Sequence, residues 1–313
     1  MKKYCFGIDV GGTTVKCGLF LNDGTSVDKW EIKTHVEDEG KQILPDIAET
    51  VLAKIQEKGL DKGEIEGIGI GVPGPVEESG EIACAVNLHW GRKNIEKELE
   101  DMTGLRVKAG NDANVAALGE MWKGGGQGAK NLILVTLGTG VGGGIIINEK
   151  IVTGAHGAGG EIGHAPVNPE EKVPCNCGNK GCLEQYASAT GIARLARKAL
   201  EETDSPSALR KYPDVTAKDV FDAYKEGDEL AEEVVEVFSE YMGRALAAFT
   251  CVTDPDVIVL GGGVSKAGQP LIDCVEKYYR NYAFPTCKET PIRLATLGND
   301  AGVYGAAKLV LNK

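Results

Sequence analysis

Four side chains with metal-binding chemistry lie close together in the middle of the sequence: His164, Cys175, Cys177 and Cys182. Three thiolates within eight residues, with an imidazole eleven residues upstream, match the number and type of ligands in a closed tetrahedral Zn²⁺ site. A redox pair and three incidental cysteines are the alternatives. A redox pair favours a C-x-x-C spacing, which this segment lacks, and incidental cysteines would not explain the interleaved glycines. The pattern favours structural zinc, because four protein ligands leave no open position.

Three glycine clusters, each after a short apolar segment, indicate a phosphate-binding site. Their candidate residues are Asp9, Gly11, Gly12, Thr13, Thr14 and Lys16, then Gly138, Thr139 and Gly140, then Gly261, Gly262 and Gly263. Adjacent glycines let backbone N–H groups approach a phosphate closely, and the threonine hydroxyls add donors. The carboxylate of Asp9, at the end of a buried strand, suits Mg²⁺. A simple hairpin turn would explain the first cluster alone. Three clusters predict ATP-Mg²⁺ held between two lobes, without a Walker loop or a Rossmann fingerprint.

The segments around these clusters follow a plan that occurs twice. An apolar strand, a glycine-rich turn and a second strand are predicted at 4–8 and 15–21, and again at 131–137 and 145–147 around a turn at 138–144. Further predictions are helices at 41–58, 111–123, 230–252 and 301–311, and strands at 65–72 and 257–260. The plan predicts an α/β protein with two related lobes. Residues 1–115 form a small N-terminal lobe, residues 116–300 form a large lobe with the zinc-binding loop, and residues 301–313 return to the first.

Composition limits the classes of partner. The 313 residues are 42% hydrophobic and 26% charged, with a net charge of -12. This acidity argues against nucleic acid and against an anionic membrane as the main partner. No signal-length apolar run develops near the N-terminus, so we expect no membrane anchor. The six cysteines outside the cluster are interpreted as small buried hydrophobes in a reducing cytoplasm.

Asn111 and Asp112 form the candidate catalytic pair. A kinase that acts on a hydroxyl group needs a carboxylate within hydrogen-bond reach, which orients the nucleophile and accepts its proton. Spacing alone favours Asp112 as merely the N-cap of the helix that begins there.

Taken together, these residues resemble the ROK family of sugar kinases, within the actin/hexokinase/Hsp70 superfamily. The resemblance runs over essentially the whole chain, from Phe6-Gly7-Ile8-Asp9 to Gly298-Asn299-Asp300-Ala301-Gly302. Its most specific stretch is Gly159-Gly160-Glu161-Ile162-Gly163-His164, followed by Cys175-x-Cys177-Gly178-x-x-Gly181-Cys182-x-Glu184. The resemblance is strongest to bacterial glucokinases. It implies the two-lobed actin-like (ribonuclease H-like) fold, a ligand cleft between the lobes and phosphorylation of glucose by ATP.

The resemblance also implies roles for individual residues. Asp112 is the general base, and Asn111 binds the sugar beside it. Glu161, His164 and Glu184 bind sugar hydroxyls, and His164 also serves as a zinc ligand. On this basis we expect metal removal to loosen the segment from Glu161 to Glu184 without affecting the glycine loops.

Several alternatives stay open at this stage. A sister kinase for fructose, mannose, N-acetylmannosamine or allose would share the zinc and phosphate loops, although the run from Glu184 to Gly191 favours glucose. Polyphosphate is a second phosphoryl donor to consider.

A sugar-sensing regulator would carry a helix-turn-helix ahead of the kinase-like body, and we expect none because the first phosphate loop begins near residue 9. We expect a homodimer or a homotetramer.

Overall fold

The computed structural model describes residues 2–312, which form two compact units. The first unit contains the residues up to 129, residues 144–160 and the residues from 297 onward. The second unit contains residues 130–143 and 161–296.

Within residues 2–312 the chain forms twelve strands and nine α-helices. The strands are β1 (Tyr4–Val10), β2 (Thr14–Leu21), β3 (Ser26–Lys33), β4 (Ile65–Val72), β5 (Glu81–Ile82), β6 (Lys93–Asn94), β7 (Val107–Asn111), β8 (Leu132–Leu137), β9 (Val141–Ile147), β10 (Lys150–Ile151), β11 (Val257–Gly261) and β12 (Ile292–Leu294). The helices are α1 (Ile43–Glu57), α2 (Ile95–Thr103), α3 (Asp112–Lys123), α4 (Glu184–Ala187), α5 (Ala189–Glu202), α6 (Ala217–Lys225), α7 (Glu229–Thr253), α8 (Gln269–Tyr282) and α9 (Ala301–Leu311). None of the helices in this part of the chain combines the length and apolar composition needed to span a bilayer.

Two five-stranded sheets share one strand order. The first runs β3-β2-β1-β4-β7 and the second runs β10-β9-β8-β11-β12. In the first sheet, β2 is antiparallel to β1 and β3, while β4 is parallel to β1 and β7. In the second, β10 is antiparallel to β9, and β11 is parallel to β8 and β12. The strand–turn–strand plan that the sequence predicts twice is therefore present twice.

The last helix lies unusually close to the first sheet because glycines face it. A Cβ atom on Gly69 would lie 1.6 Å from the carbonyl oxygen of Ala306, and one on Gly7 would lie 2.1 Å from that of Val303. A Cβ atom on Gly305 would lie 1.7 Å from the carbonyl oxygen of Val115 in α3. Helix α9 therefore packs at backbone distance on β1, β4 and α3. This packing fixes the start of α3, where Asp112 lies, against the sheet.

Most predicted elements are present, with ends that match or are shifted by one or two residues. The turn predicted at 138–144 is too long, because β9 already begins at Val141 and its glycines lie in the strand. Gly144 is needed there for packing, since a Cβ atom would lie 2.5 Å from the side chain of Ala117. Helices α2, α4, α5, α6 and α8 are additional to the predicted ones. The predicted lobe boundary at residue 115 falls inside α3, all of which lies in the first unit.

Candidate active site and metal centre

Two acidic residues lie at the carboxyl edge of the first sheet. Asp9 of β1 pairs with Gly71 of β4, and Gly71 pairs with Gly110 of β7. Because neighbouring strands lie about 4.8 Å apart, this register places Asp9 roughly 10 Å across the sheet from the end of β7. Asp112 follows directly after that end. The parallel strands therefore bring the predicted metal-binding carboxylate and the predicted base to the same edge.

The start of α3 is capped by Asn111 and not by Asp112. The Asn111 Oδ1 atom accepts hydrogen bonds from the N–H groups of Ala113 (3.0 Å) and Asn114 (3.2 Å). Its Nδ2 group donates to the carbonyl oxygen of Gly74 at 3.2 Å. Asp112 is instead the first helical residue, and its Oδ1 atom accepts from the N–H group of Ala113 at 2.8 Å. The capping interpretation of Asp112 is therefore wrong, and its neighbour holds the helix start.

Burial and the neighbouring charges shift the pKa of Asp9 at this edge of the sheet. Burial raises the pKa of Asp9 to about 6, with the positive charge of Lys16 lowering it and the negative charge of Asp112 raising it. Lys16 lies opposite Asp9 on β2, and its Nζ atom donates to the carbonyl oxygen of Asn299 at 3.1 Å. A cation bound here would stabilise the ionised carboxylates.

The first glycine turn joins β1 to β2 and is held by a residue that the sequence analysis missed. The Gly11 N–H group donates to the Thr14 carbonyl oxygen at 3.0 Å. Thr34 donates from its hydroxyl to the carbonyl oxygen of Gly11 (2.7 Å) and from its N–H group to that of Thr13 (3.0 Å). Thr34 is only 3% exposed. It fixes the carbonyl side of the turn, and Gly12 lies exposed.

The second glycine turn joins β8 to β9 and is held from the start of α5. The N–H group of Ala189 donates to the Gly138 carbonyl oxygen at 2.8 Å, and the Thr190 hydroxyl donates to the Thr139 carbonyl oxygen at 2.7 Å. A Cβ atom on Gly138 would have open space within 4 Å. A phosphate group could therefore approach this backbone closely.

The third glycine cluster lies beside a cavity in the second unit. Gly262 has a φ of +83°, and a Cβ atom there would lie 2.5 Å from the Leu137 carbonyl oxygen, so this position requires glycine. Gly263 lines a cavity of about 330 Å³ together with Phe221 and Lys266. An apolar wall with amines at its edge suits a heterocycle that carries phosphates. The sequence analysis missed Phe221 and Lys266, which no local motif marks.

The four predicted metal ligands lie together in the second unit. The Sγ atoms of Cys177 and Cys182 are 3.6 Å apart, and the Cys175 Sγ atom is 3.7 Å from the His164 Nδ1 atom. All four ligand atoms lie within 4.8 Å of one another. Zn–S bonds of about 2.3 Å in a tetrahedron place sulfur atoms about 3.8 Å apart. The donor set and its spacing fit a Zn²⁺ ion bound by four protein ligands.

Backbone turns bring the cluster together. Cys175 donates its N–H group to the Asn179 carbonyl oxygen at 2.7 Å, which closes a tight turn around Cys177. The hydrogen bond from the backbone of Asn179 lowers the pKa of Cys177, whereas burial raises the pKa of Cys182 to about 12. A metal ion would replace the protons of these thiols.

Glu184 lies between the metal cluster and the second glycine turn. Its Oε2 atom accepts a hydrogen bond from the Val141 N–H group at 3.0 Å. Its Oε1 atom lies 3.7 Å from the Cys175 Sγ atom. The short helix at Ile162–His164 meets the same strand residue, since a Cβ atom on Gly163 would lie 2.1 Å from the Val141 carbonyl oxygen.

Asn114 is a further residue that the sequence analysis missed. Its side chain is 3% exposed, and its Nδ2 group donates to the Gly159 carbonyl oxygen at 3.3 Å. This bond ties the segment that precedes Glu161 to the first turn of α3, two residues from Asp112. The Asn111-Asp112-Ala113-Asn114 run contained the residue, but nothing in its spacing indicated the contact.

The structure thus gathers the predicted site residues into two groups. The first unit holds Asp9, Gly11, Gly12, Thr13, Thr14, Lys16, Asn111 and Asp112. The second unit holds Gly138, Thr139, Gly140, Glu161, His164, Cys175, Cys177, Cys182, Glu184, Gly261, Gly262 and Gly263.

Comparisons with known proteins agree over nearly the full length. The chain is 47% identical to a glucokinase of Halalkalibacterium halodurans, covering 98% of this chain and 95% of that protein. It matches the crystal structure of a ROK hexokinase from Thermus thermophilus with a TM-score of 0.81 and 33% identity, covering 98% of this chain and 97% of the other. It also matches a ROK family glucokinase from Streptomyces griseus in complex with glucose and AMPPNP, with a TM-score of 0.74 and 31% identity over 99% of this chain and 100% of the other. The chain shares the two-lobed actin-like ATPase fold of these structures. The sequence profile of the ROK family matches residues 5–313, and the chain belongs to the ROK family.

Proposed function

We propose that this protein is an ATP-dependent glucokinase, which transfers the γ-phosphoryl group of ATP to the 6-hydroxyl of glucose. The observation that carries the chemistry is the pair of carboxylates, Asp9 and Asp112, at one sheet edge beside a glycine turn. The preference for glucose rests on the glucokinase of H. halodurans, 47% identical over nearly the whole chain.

Asp112 serves as the general base. Its carboxylate accepts the proton of the 6-hydroxyl as the oxygen attacks the γ-phosphorus in line, and ADP leaves. Position supports this role, because Asn111 caps the helix and leaves Asp112 at the first helical position. Mg²⁺ would neutralise developing charge on the phosphate oxygens when it is bound, and Asp9 is the residue that would hold it.

The remaining residues bind the two substrates. Gly11, Gly12, Thr13, Thr14 and Lys16 would contact phosphates from the first turn. Gly138, Thr139 and Gly140 would do so from the second, and the cavity beside Gly263 would take the adenosine. Asn111, Glu161, His164 and Glu184 would hydrogen-bond the sugar. Carboxylates suit this work, because a sugar with a missing hydroxyl leaves a buried acceptor unpaired.

Zinc would have a structural role, since His164 and the three cysteines fill a tetrahedral shell. A reducing compartment such as the cytoplasm would keep these thiols competent for the metal. We also propose that the protein assembles as a homodimer or a homotetramer, and that the two units correspond to the small and large lobes.

A hexose panel tests the proposal. The zinc-loaded protein is assayed with ATP-Mg²⁺ and glucose, mannose, fructose, N-acetylmannosamine or allose, with ADP release coupled to NADH oxidation. Glucose should give the highest kcat/KM, by at least about tenfold. A parallel assay with polyphosphate in place of ATP compares the two donors. Preference for another hexose would contradict the glucose assignment, and no ADP release with any sugar would contradict the kinase assignment.

A further inference from the structure

We infer that Glu184 couples the metal centre to the second glycine turn, so that metal occupancy sets how tightly the protein binds nucleotide. The inference rests on the proposed function, in which that turn contacts the phosphates of ATP. The family resemblance assigns Glu184 to the sugar alone and predicts that metal removal leaves the glycine turns intact. The contacts of Glu184 point to a different outcome.

The two carboxylate oxygens of Glu184 face different neighbours. Oε2 accepts from the N–H group of Val141, the residue that directly follows the turn, at 3.0 Å. A Cβ atom on Gly140 would lie 2.2 Å from the same oxygen, so the carboxylate lies directly against the turn. Oε1 lies 3.7 Å from the Sγ atom of the metal ligand Cys175. One side chain thus touches both the cluster and the phosphate-binding backbone.

The chain between the cluster and Glu184 is short and held firmly. Cys182 is two residues before Glu184, and Leu183 between them is fully buried and donates its N–H group to the Ala165 carbonyl oxygen at 2.9 Å. The Gln185 Oε1 atom accepts from the N–H groups of Gly181 (2.8 Å) and Cys182 (3.1 Å). A displacement of Cys182 therefore moves Glu184 with it.

A bound metal would restrain the ligand side chains beyond what the backbone hydrogen bonds of this segment do. A closed four-ligand site ties four side chains to one point, and without it they have only weak sulfur contacts. A loosened segment would carry the Glu184 carboxylate away from Val141, and binding of nucleotide would then have to order the turn as well. Couplings of this kind change affinity about 5- to 150-fold, and we expect about tenfold here.

Nucleotide affinity in loaded and depleted protein tests the inference. AMPPNP-Mg²⁺ is titrated by calorimetry into zinc-loaded protein, into protein stripped with a chelator and into stripped protein reloaded with zinc. Stripping should weaken AMPPNP about tenfold, and reloading should restore the affinity. Because coupling is reciprocal, AMPPNP should raise the affinity for zinc by the same factor in competition with a chromogenic chelator. No sugar is present, so a sugar-binding role of Glu184 does not affect the result.

Three variants locate the coupling. Glu184→Ala should still bind one zinc, because its four ligands are intact, but zinc should then change AMPPNP affinity by less than about twofold. Glu184→Gln keeps an acceptor for the Val141 N–H group and should keep most of the coupling. Glu170→Ala is the matched control: it removes a carboxylate that is 86% exposed on the same loop, and it should behave as the wild type.

The outcomes separate the inference from the proposed function. AMPPNP affinity that is equal with and without zinc overturns the inference alone, and so does wild-type coupling in Glu184→Ala. Coupling lost equally in Glu170→Ala also overturns it. If zinc-loaded wild-type protein binds no AMPPNP at all, the proposed function fails and the inference fails with it.

Discussion

The two sheets have the same strand order but contribute different chemistry. In each, an inner strand leads through a glycine turn into the strand beside it: β1 to β2 in the first sheet and β8 to β9 in the second. β1 carries the carboxylate of Asp9 near its end, whereas β8 ends at Leu137 and carries no acid. One backbone plan thus forms two glycine turns. The acid near the first turn, Asp9, lies on the strand that leads into it, whereas the acid against the second turn, Glu184, comes from α4. Under the proposed function, the first unit carries out the transfer and the second mainly holds the nucleotide.

The two turns are also anchored differently. The first turn is held by hydrogen bonds from Thr34, which directly follows β3. The second is tied to the start of α5 and to Glu184 beside the metal cluster. The first turn should therefore be insensitive to the metal, and the second should depend on it.

The largest expected effect comes from the base in the first unit. Asp112→Asn keeps the shape and a hydrogen-bonding side chain but loses the proton acceptor, so kcat should fall about 10³-fold. Calorimetry should show that AMPPNP and glucose still bind. Asp101→Asn, an exposed acid on α2, is the control and should keep wild-type turnover. If Asp112→Asn retained a tenth of wild-type kcat, Asp112 would only orient the substrate and would not be the general base.

The next largest effect should come from Asp9, because its substitution should raise the stability of the fold and lower the activity. Its pKa is raised from 3.8 to about 6, so ionised Asp9 destabilises the folded state above pH 6. The folded state binds more protons than the unfolded state between these two values, and stability falls as pH rises through this window. Asp9→Asn should therefore be more stable than the wild type at pH 7.5, by up to about 3 kcal/mol. This gain should disappear below pH 4.

The same variant should lose activity, with kcat about 10²-fold lower at saturating Mg²⁺, because the metal loses a charged ligand. Chemical unfolding at pH 7.5 and pH 4, together with initial rates across a Mg²⁺ series, checks both effects. Lower stability at pH 7.5 would contradict the electrostatic account, and unchanged rates would remove Asp9 from the metal site.

A smaller effect should come from the glycine turns. The nearest atom to a Cβ on Gly12 is 3.6 Å away, and a Cβ on Gly138 has open space, so we expect valine at either position to leave the fold intact. Each variant should raise the KM for ATP by about tenfold, with little change for glucose. Gly262→Ala is the contrasting variant, because its strained φ should lower the thermal midpoint instead. Unchanged ATP affinity in a folded Gly138→Val protein would remove the second turn from the phosphate site.

The smallest effect should come from Thr34. Thr34→Val keeps the shape but loses the hydroxyl bond to Gly11, which should cost about 1–2 kcal/mol of the free energy of unfolding. The KM for ATP should rise by about two- to fivefold, and Thr34→Ser should restore both properties. Urea unfolding and initial rates measure these changes. A stable variant with normal ATP affinity would show that the first turn needs no such anchor.

Periodicity and turn residues were enough to predict the repeated strands. Strand β4 and helix α9 lie where apolar spacing placed them, because tightly buried segments leave a clear pattern. The metal ligands could also be predicted, because the histidine and the three cysteines lie close together in the sequence. These are features whose cause lies within one short segment.

Contacts between distant segments could not be predicted. Thr34 and Asn114 are ordinary polar residues in the sequence, and their roles depend on which carbonyl oxygen the fold brings near them. The contact of Glu184 with Val141 joins residues 43 positions apart. Spacing also could not decide which of Asn111 and Asp112 caps α3, because either side chain suits an N-cap.

Product identification tests the central claim most directly. The zinc-loaded protein is incubated with ATP-Mg²⁺ and glucose, and phosphorus NMR with proton correlation shows which carbon carries the new phosphate. We predict a single phosphomonoester on C6 with matching ADP, and no transfer to 6-deoxyglucose. A phosphate on another carbon, or release of inorganic phosphate without a sugar product, would contradict the account.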